Sequence, residues 1–162
     1  MTAGGQDIQV VVFGLGEEEF GLPVASVREI LDHRTAYRVP NAPAWFLGLT
    51  DVRGLSVPMV DLRVRLGMAP ADATLATRIL VVDVPVGRET PLALGLVVDR
   101  VLDVSTFAPG SVEASPDIGG RWRSEQIEAI LRRDAGFVAL LDAARLFGSD
   151  GHDTLASLAI AA

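Results

Sequence analysis

The chain contains no cysteine, which excludes disulfide staples, thiol nucleophiles and thiolate metal sites. It contains no lysine either; all fourteen basic residues are arginine. A Schiff-base lysine and a phosphate-loop lysine are thereby excluded. Codon bias in a chain rich in Ala, Gly and Val is the simplest origin of that imbalance. Histidine is confined to His33 and His152. No apolar run approaches the ~20 residues of a membrane helix. The opening MTAGGQD lacks the charged and apolar regions of a signal peptide. The expectation is a cytoplasmic protein with no membrane insertion. The net charge of −7 opposes nucleic-acid binding, which needs a basic face.

Hydrophobic residues make up 49% of 162 residues, enough for one domain or two small lobes around a core. The stretch Gly48 to Arg63, GLTDVRGLSVPMVDLR, is the most telling. Two apolar runs meet at Arg53-Gly54, and the second ends in Asp61. This is the pattern of two strands joined by a tight turn. Ile8–Leu15 and Phe20–Pro23 read as a hairpin around a solvated Gly16–Glu19 turn. Val24–Leu31 reads as a short helix, because Val24, Val27 and Leu31 share a helical face. Tyr37–Pro40 is extended, with a turn over Asn41–Pro43, and residues 69–76 form a linker. Further strands are expected at 78–85, 92–98, 100–106, 122–131 and 136–141. Turns fall at 87–90 and 132–135, a long mobile loop at 108–120, and a frayed tail at 149–162.

An internal echo suggests how these strands are grouped. Val57–Gly67 (VPMVDLRVRLG) and Val138–Gly148 (VALLDAARLFG) align without gaps. Each places an Asp where it can cap a short helix and a Gly where it can end one. The spacing is about half the chain. The reading is one domain over 8–148, made of two small β-barrels: lobe 1 at about 8–68 and lobe 2 at about 76–148.

A search for reaction chemistry returns nothing. His33 and His152 lie in turn and tail contexts without a positioned serine. Gly14-Leu15-Gly16 follows a strand, but three glutamates follow it, and these repel a pyrophosphate. Asp61, Asp83, Asp99, Asp103 and Asp142 all sit at strand ends, where capping and turn roles explain them. No catalytic residue, metal or cofactor is expected. Arg53 remains as a recognition candidate, because turns carry binding function and arginine is enriched at interface hot spots. No Arg-Gly stands at the matching place in the second copy of the echo.

These motifs, taken in order, resemble the CheW family of bacterial chemotaxis coupling proteins. Phe20-Gly21-Leu22-Pro23 with Val27-Arg28-Glu29-Ile30 is similar to the family's "YGI…VxEI". Arg38–Pro43 is similar to "IPxxP", and Phe46–Leu49 with Val52-Arg53-Gly54 to "GVINLRG". Val57–Arg63 is similar to "VPVVDLR", and Gly95–Asp99 with Val101–Val104 to "GLVVDxVxDV". The resemblance spans about Ile8 to Phe147 and implies a mainly β fold of two five-stranded SH3-like barrels with short helices. It implies an adaptor without catalysis, joining methyl-accepting chemoreceptor tips to a CheA-type histidine kinase in membrane-associated arrays. Receptor contacts would fall on Val27, Glu29, Ile30, Arg53, Gly54 and Val98, and kinase contacts mainly on the second barrel. Two departures stand out. Asp51-Val52 replaces the family's Asn-Leu, which places a carboxylate where it could pair with Arg53, and Phe20 replaces a tyrosine. Competing readings are a CheW-like domain of a pilus or surface-sensing pathway, a detached regulatory domain of a kinase or CheV-type protein, and a small-molecule-binding β-barrel.

Overall fold

The computed structural model describes residues 5–85, 91–114, 126–133 and 136–146. Among these residues, eleven strands form two sheets. The strands are β1 (Ile8–Leu15), β2 (Glu18–Pro23), β3 (Val27–Asp32), β4 (Phe46–Val52), β5 (Leu55–Asp61), β6 (Arg78–Val84), β7 (Leu92–Val98), β8 (Arg100–Phe107), β9 (Val112–Ala114), β10 (Ile127–Arg133) and β11 (Gly136–Leu141). One helix, α1 (Leu62–Arg65), follows β5. The sheet orders are β3-β6-β7-β5-β4 and β8-β1-β2-β11-β10-β9.

The lobes do not follow the two halves of the chain, so the expected division at 8–68 and 76–148 is corrected. One lobe is contiguous and uses β3 to β7. The other is split, with β1 and β2 before the contiguous lobe and β8 to β11 after it. Hairpins fix neighbours along the chain, but β1 also takes β8 as a partner 80 or more residues away. No local pattern announces such a pairing.

The two lobes correspond strand for strand: β3, β6, β7, β5 and β4 match β8, β1, β2, β11 and β10. The echo is the visible part of this match. Met59 lies opposite Gly95 on a parallel neighbour, and its counterpart Leu140 lies opposite Gly21. The β3–β6 bulge between Val27 and Glu29 recurs as the β8–β1 bulge between Val12 and Phe13. The main-chain bond from Asp61 to Trp45 recurs from Asp142 to Gln126. The short β9 is the sixth strand of the split lobe.

Three apolar clusters follow from this arrangement. The largest draws on both sheets, with Val11, Phe13, Phe20 and Leu22 meeting Val60, Leu80, Val82, Leu94 and Leu96. A second cluster, around Val10, Val12, Leu131 and Leu140, belongs to the split lobe. A third, around Met59, Ile79 and Val81, belongs to the contiguous lobe. Alternate residues of one strand therefore face different cores, and both faces are dry. That is why these strands read as unbroken apolar runs rather than alternating ones. Each fully buried Leu or Phe contributes about 1.5–3 kcal/mol.

The expected helix over Val24–Leu31 is also corrected. Val24–Ser26 is one 3-10 turn, and Val27–Asp32 is strand β3, paired with β6. Val27 packs on the shared core and Leu31 on the contiguous lobe's own core, which fits a pleated strand better than a helix. Asp61 does cap α1, accepting from the Val64 amide at 3.3 Å. Gly67, at φ 86°, lets its own amide reach the Val64 carbonyl and the Met68 amide reach that of Arg63, the pattern that ends helices with a left-handed residue. Asp142 accepts from Ala144 at 2.8 Å, but the residues after it form a turn, and Gly148 lies outside the described residues. Tyr37–Pro40 contributes only a single bridge at Tyr37. Strand β10 runs on through Arg133, where a turn was expected. The 108–120 loop opens with a 3-10 turn and β9. The turns at 87–90 and 134–135, the remainder of that loop, Trp122 and the tail lie outside the described residues.

A polar lock joins the lobes, alongside a bond from Arg65 Nε of α1 to the Leu146 carbonyl at 2.7 Å. Arg63 of α1 grips Asp99 through Nε at 2.8 Å and Nη2 at 2.5 Å. Asp99 also accepts from the Gly16 amide at 2.7 Å, in the β1–β2 turn of the other lobe. The Arg63 hydrogen bonds hold the Asp99 carboxyl below the usual carboxylate range; burial opposes them and the Gly16 bond assists. A depressed carboxyl adds stability that is complete above the unfolded-chain pKa of about 3.9 and is lost as pH falls through the folded value. Asp99→Asn should therefore flatten the acid limb. Its urea midpoint is lower than the parent's at pH 7 but falls less between pH 7 and pH 3. Parallel curves for the two proteins would show that Asp99 carries no such linkage.

Candidate partner-binding site

The β4–β5 hairpin turns in two residues. Arg53 has φ 51° and Gly54 φ 84°, and Val52 faces Leu55 across the strand ends. Two successive positive φ values make the tight turn whose twist matches the strands it joins. Glycine adopts that conformation freely, but an arginine there bears about 1–2 kcal/mol of strain. Its side chain is nevertheless 75% exposed, and its guanidinium is bonded through Nη1 to Glu29 of β3. The bond leaves the other guanidinium donors facing outward.

That ion pair closes a barrel seam. β3 and β4 are the outer strands of their sheet, and the chain after β3 folds back along β4. Tyr37 and Leu49 exchange two main-chain bonds of 2.7 and 2.8 Å. The approach is so close that a Cβ on Gly48, at φ 133°, would lie 1.9 Å from the Tyr37 carbonyl oxygen. Arg34 donates to the Asp51 carbonyl at 2.8 Å. The expected pairing of Asp51 with Arg53 is replaced: Arg53 turns to Glu29, and Arg34 holds the Asp51 backbone.

The split lobe has an equivalent clamp. By register, Asp103 of β8 matches Glu29, and Arg133 reaches Asp103 at 2.8 Å from the end of β10. Ser105, followed by Arg133, holds the Asp103 carboxyl below its ordinary range. Arg133 is largely covered, whereas Arg53 is open. The same closing device has its cation displayed only in the contiguous lobe.

The structure brings Glu29, Arg53 and Gly54 together. Val27 packs, half-buried, on the shared core, and Ile30 is 41% exposed on the opposite face of β3 from Glu29. Val98 is 1% exposed and belongs to that core, so its assignment as a contact residue is corrected: the second valine of an apolar run points inward. Sequence reasoning missed Leu55, which is exposed beside the turn; the polar Ser56 after it was the available signal. It also missed Arg34, for which the sequence carries no signal. His33 is exposed and His152 lies outside the described residues. The strand-end aspartates are engaged as caps or ion pairs, Asp83 with Arg28 at 3.4 Å among them.

The fold and this hairpin define a class of protein: paired β-barrels that display an arginine at the tip of one hairpin. A family model described as "CheW-like domain" matches residues 9–151. A probable chemotaxis protein CheW from Rhizobium etli is 33% identical over 87% of this chain and 88% of its own. The chemotaxis protein CheW of Rhizobium meliloti is 31% identical over 94% of both chains. A crystal structure of the scaffolding protein TtCheW from Thermoanaerobacter tengcongensis superposes with a TM-score of 0.80, at 27% identity, over 90% of this chain and 96% of that one. The chain belongs to the CheW family, whose role is that of a chemotaxis adaptor. Among the described residues, no helix is long and apolar enough to cross a membrane.

Two measurements check the seam. A methyl on Gly48 meets bridged backbone at a positive φ, so clash and strain together cost about 2–4 kcal/mol. Gly48→Ala should lower the thermal midpoint by roughly 5–15 °C; an unchanged midpoint means that the 37–48 contact is not rigid. In Arg53→Asn, relief of about 1 kcal/mol of turn strain offsets loss of a mostly exposed ion pair worth about 0–1 kcal/mol. Its midpoint should stay within about 3 °C of the parent's, and a larger fall would make Arg53 structural.

Proposed function

We propose that this protein is a non-enzymatic adaptor that couples methyl-accepting chemoreceptor tips to a CheA-type histidine kinase. The observation that carries the reading is Arg53. An arginine is kept in a left-handed turn, at a cost in strain, with its guanidinium pinned on one side and open on the other. Turn strain at a conserving fold would favour glycine or asparagine; a side chain that must reach outward explains the arginine. Receptor contact falls on Val27, Glu29, Ile30, Arg53 and Gly54, and Val98 supports them from the core. Glu29 sets the direction of the guanidinium, so little conformational entropy is lost when a partner carboxylate binds it. The kinase docks elsewhere, and bridging the two recruits the protein to receptor arrays at the membrane.

The test is co-purification scored for both partners at once. Arg53→Glu puts a carboxylate beside Glu29 and presents the wrong charge outward. It should abolish capture of the chemoreceptor cytoplasmic fragment, leave kinase capture at the parental level and keep a parental circular dichroism spectrum. Full receptor capture by the variant would refute the role of Arg53. Tight retention of a small molecule by the purified protein would favour a ligand-binding barrel instead.

A further inference from the structure

Beyond the β4–β5 ladder, two contacts hold the Arg53 turn, and both come from one short stretch of chain. Glu29 of β3 bonds the Arg53 guanidinium. Arg34, just past the end of that strand, donates Nη1 to the Asp51 carbonyl at 2.8 Å. The first contact takes the side chain of the turn, and the second takes the main chain just ahead of it. Arg34 and Asp51 are both exposed, so the second bond closes no part of a core.

The split lobe shows what that bond replaces. There the outer edge of β10 carries a ladder, with Ala129, Ile130 and Leu131 facing Ala114, Glu113 and Val112 of β9. Counted back from each hairpin turn, Leu49 matches Ile130, so the Tyr37 bridge to Leu49 stands where Glu113 does. Among the described residues that bridge is the whole of the ladder on the outer edge of β4. Alternate residues of a strand present their main-chain groups to the same edge. Asp51 is therefore the next position on that edge after Leu49, and Arg34 fills it. A side chain stands in for the main chain of a further strand.

A ladder pair opens only with its strand. One exposed side-chain bond can be lost while the Tyr37–Leu49 bonds of 2.7 and 2.8 Å and the β4–β5 register stay as they are. Without it, the tip beyond Leu49 is held by β5 and by the Glu29 pair alone. The arginine of that pair is mostly exposed, and exposed ion pairs hold geometry weakly. The guanidinium then samples more directions, and a partner carboxylate must order it on binding.

We propose that Arg34 is a positioning residue: by fixing the main chain at Asp51, it aims the Arg53 guanidinium at the partner's carboxylate without touching the partner itself. The proposal rests on the reading of Arg53 given above and adds the residue that sets its direction.

Arg34→Met removes the donor and keeps a long stem. The full chain is followed by NMR relaxation of the Arg53 Nε–Hε group, and binding of the chemoreceptor cytoplasmic fragment is titrated alongside kinase capture. In Arg34→Met the Arg53 order parameter should fall below the parent's. The fragment should bind about 3–10 times more weakly, the cost of ordering one long side chain. Kinase capture should stay parental, and the thermal midpoint should stay within about 3 °C. Added to Arg53→Asn, the same substitution should cost less than about twofold, because no guanidinium is left to aim. The role is overturned if the order parameter is unchanged, or if Arg34→Met weakens binding as much in Arg53→Asn as in the parent. It is also overturned if Arg34→Met binds the fragment as the parent does while Arg53→Glu does not. A lowered order parameter together with unaltered fragment binding by Arg53→Glu supports the tether and overturns only the reading of Arg53.

Discussion

The structure depends on burying each barrel's outer sheet face against the other barrel. Phe13 and Leu22 of one lobe and Leu80 and Leu96 of the other lie in a single apolar cluster. Neither lobe could show its shared face to water if its neighbour left, because that face is apolar. The barrels are therefore one cooperative body, and the Arg63–Asp99–Gly16 lock sets how they are seated. The displayed hairpin of one barrel is thereby held in a fixed position relative to the other barrel.

Repetition within the molecule separates structural roles from displayed ones. Glu29 with Arg53, and Asp103 with Arg133, are equivalent seam-closing pairs: the carboxylates stand at matched positions, while Arg133 stands where the contiguous lobe has Val52. Closing a barrel accounts for the carboxylate and for an arginine nearby. It does not account for moving the arginine into a left-handed turn and exposing it, as the contiguous lobe does. The seam pair therefore supports the fold in both lobes, and exposure is the added feature in one.

Features written locally were legible in the sequence. The Arg53-Gly54 turn between two apolar runs, the Asp61 cap and the Gly67 stop each need only a few neighbouring residues. The echo between Val57–Gly67 and Val138–Gly148 was legible as a repeat, and it marks matched strands. Its grouping into halves failed because β1 pairs with β8, a choice made by long-range register. Val24–Leu31 misled because Val27 and Leu31 face different cores through a bulge, a spacing that imitates a helical stripe. Val98 misled because an apolar run does not say which of its residues faces outward. The clamp from Glu29 to Arg53 spans 24 residues, so the sequence could nominate Arg53 but not its partner.

The interleaving of the lobes has a consequence for the order in which the chain is made. Synthesis delivers β1 and β2 first, but their neighbours β8 and β11 come only after the entire contiguous lobe. All five strands of that lobe exist once Val98 has been added, while the split lobe lacks a full set until Leu141. On the ribosome the contiguous barrel can close while the first hairpin waits with its apolar face uncovered. The earliest surface available to that face is the outer sheet of the finished barrel, where it rests in the native protein. The shared core can thus act as a template that shelters half a barrel until the other half emerges.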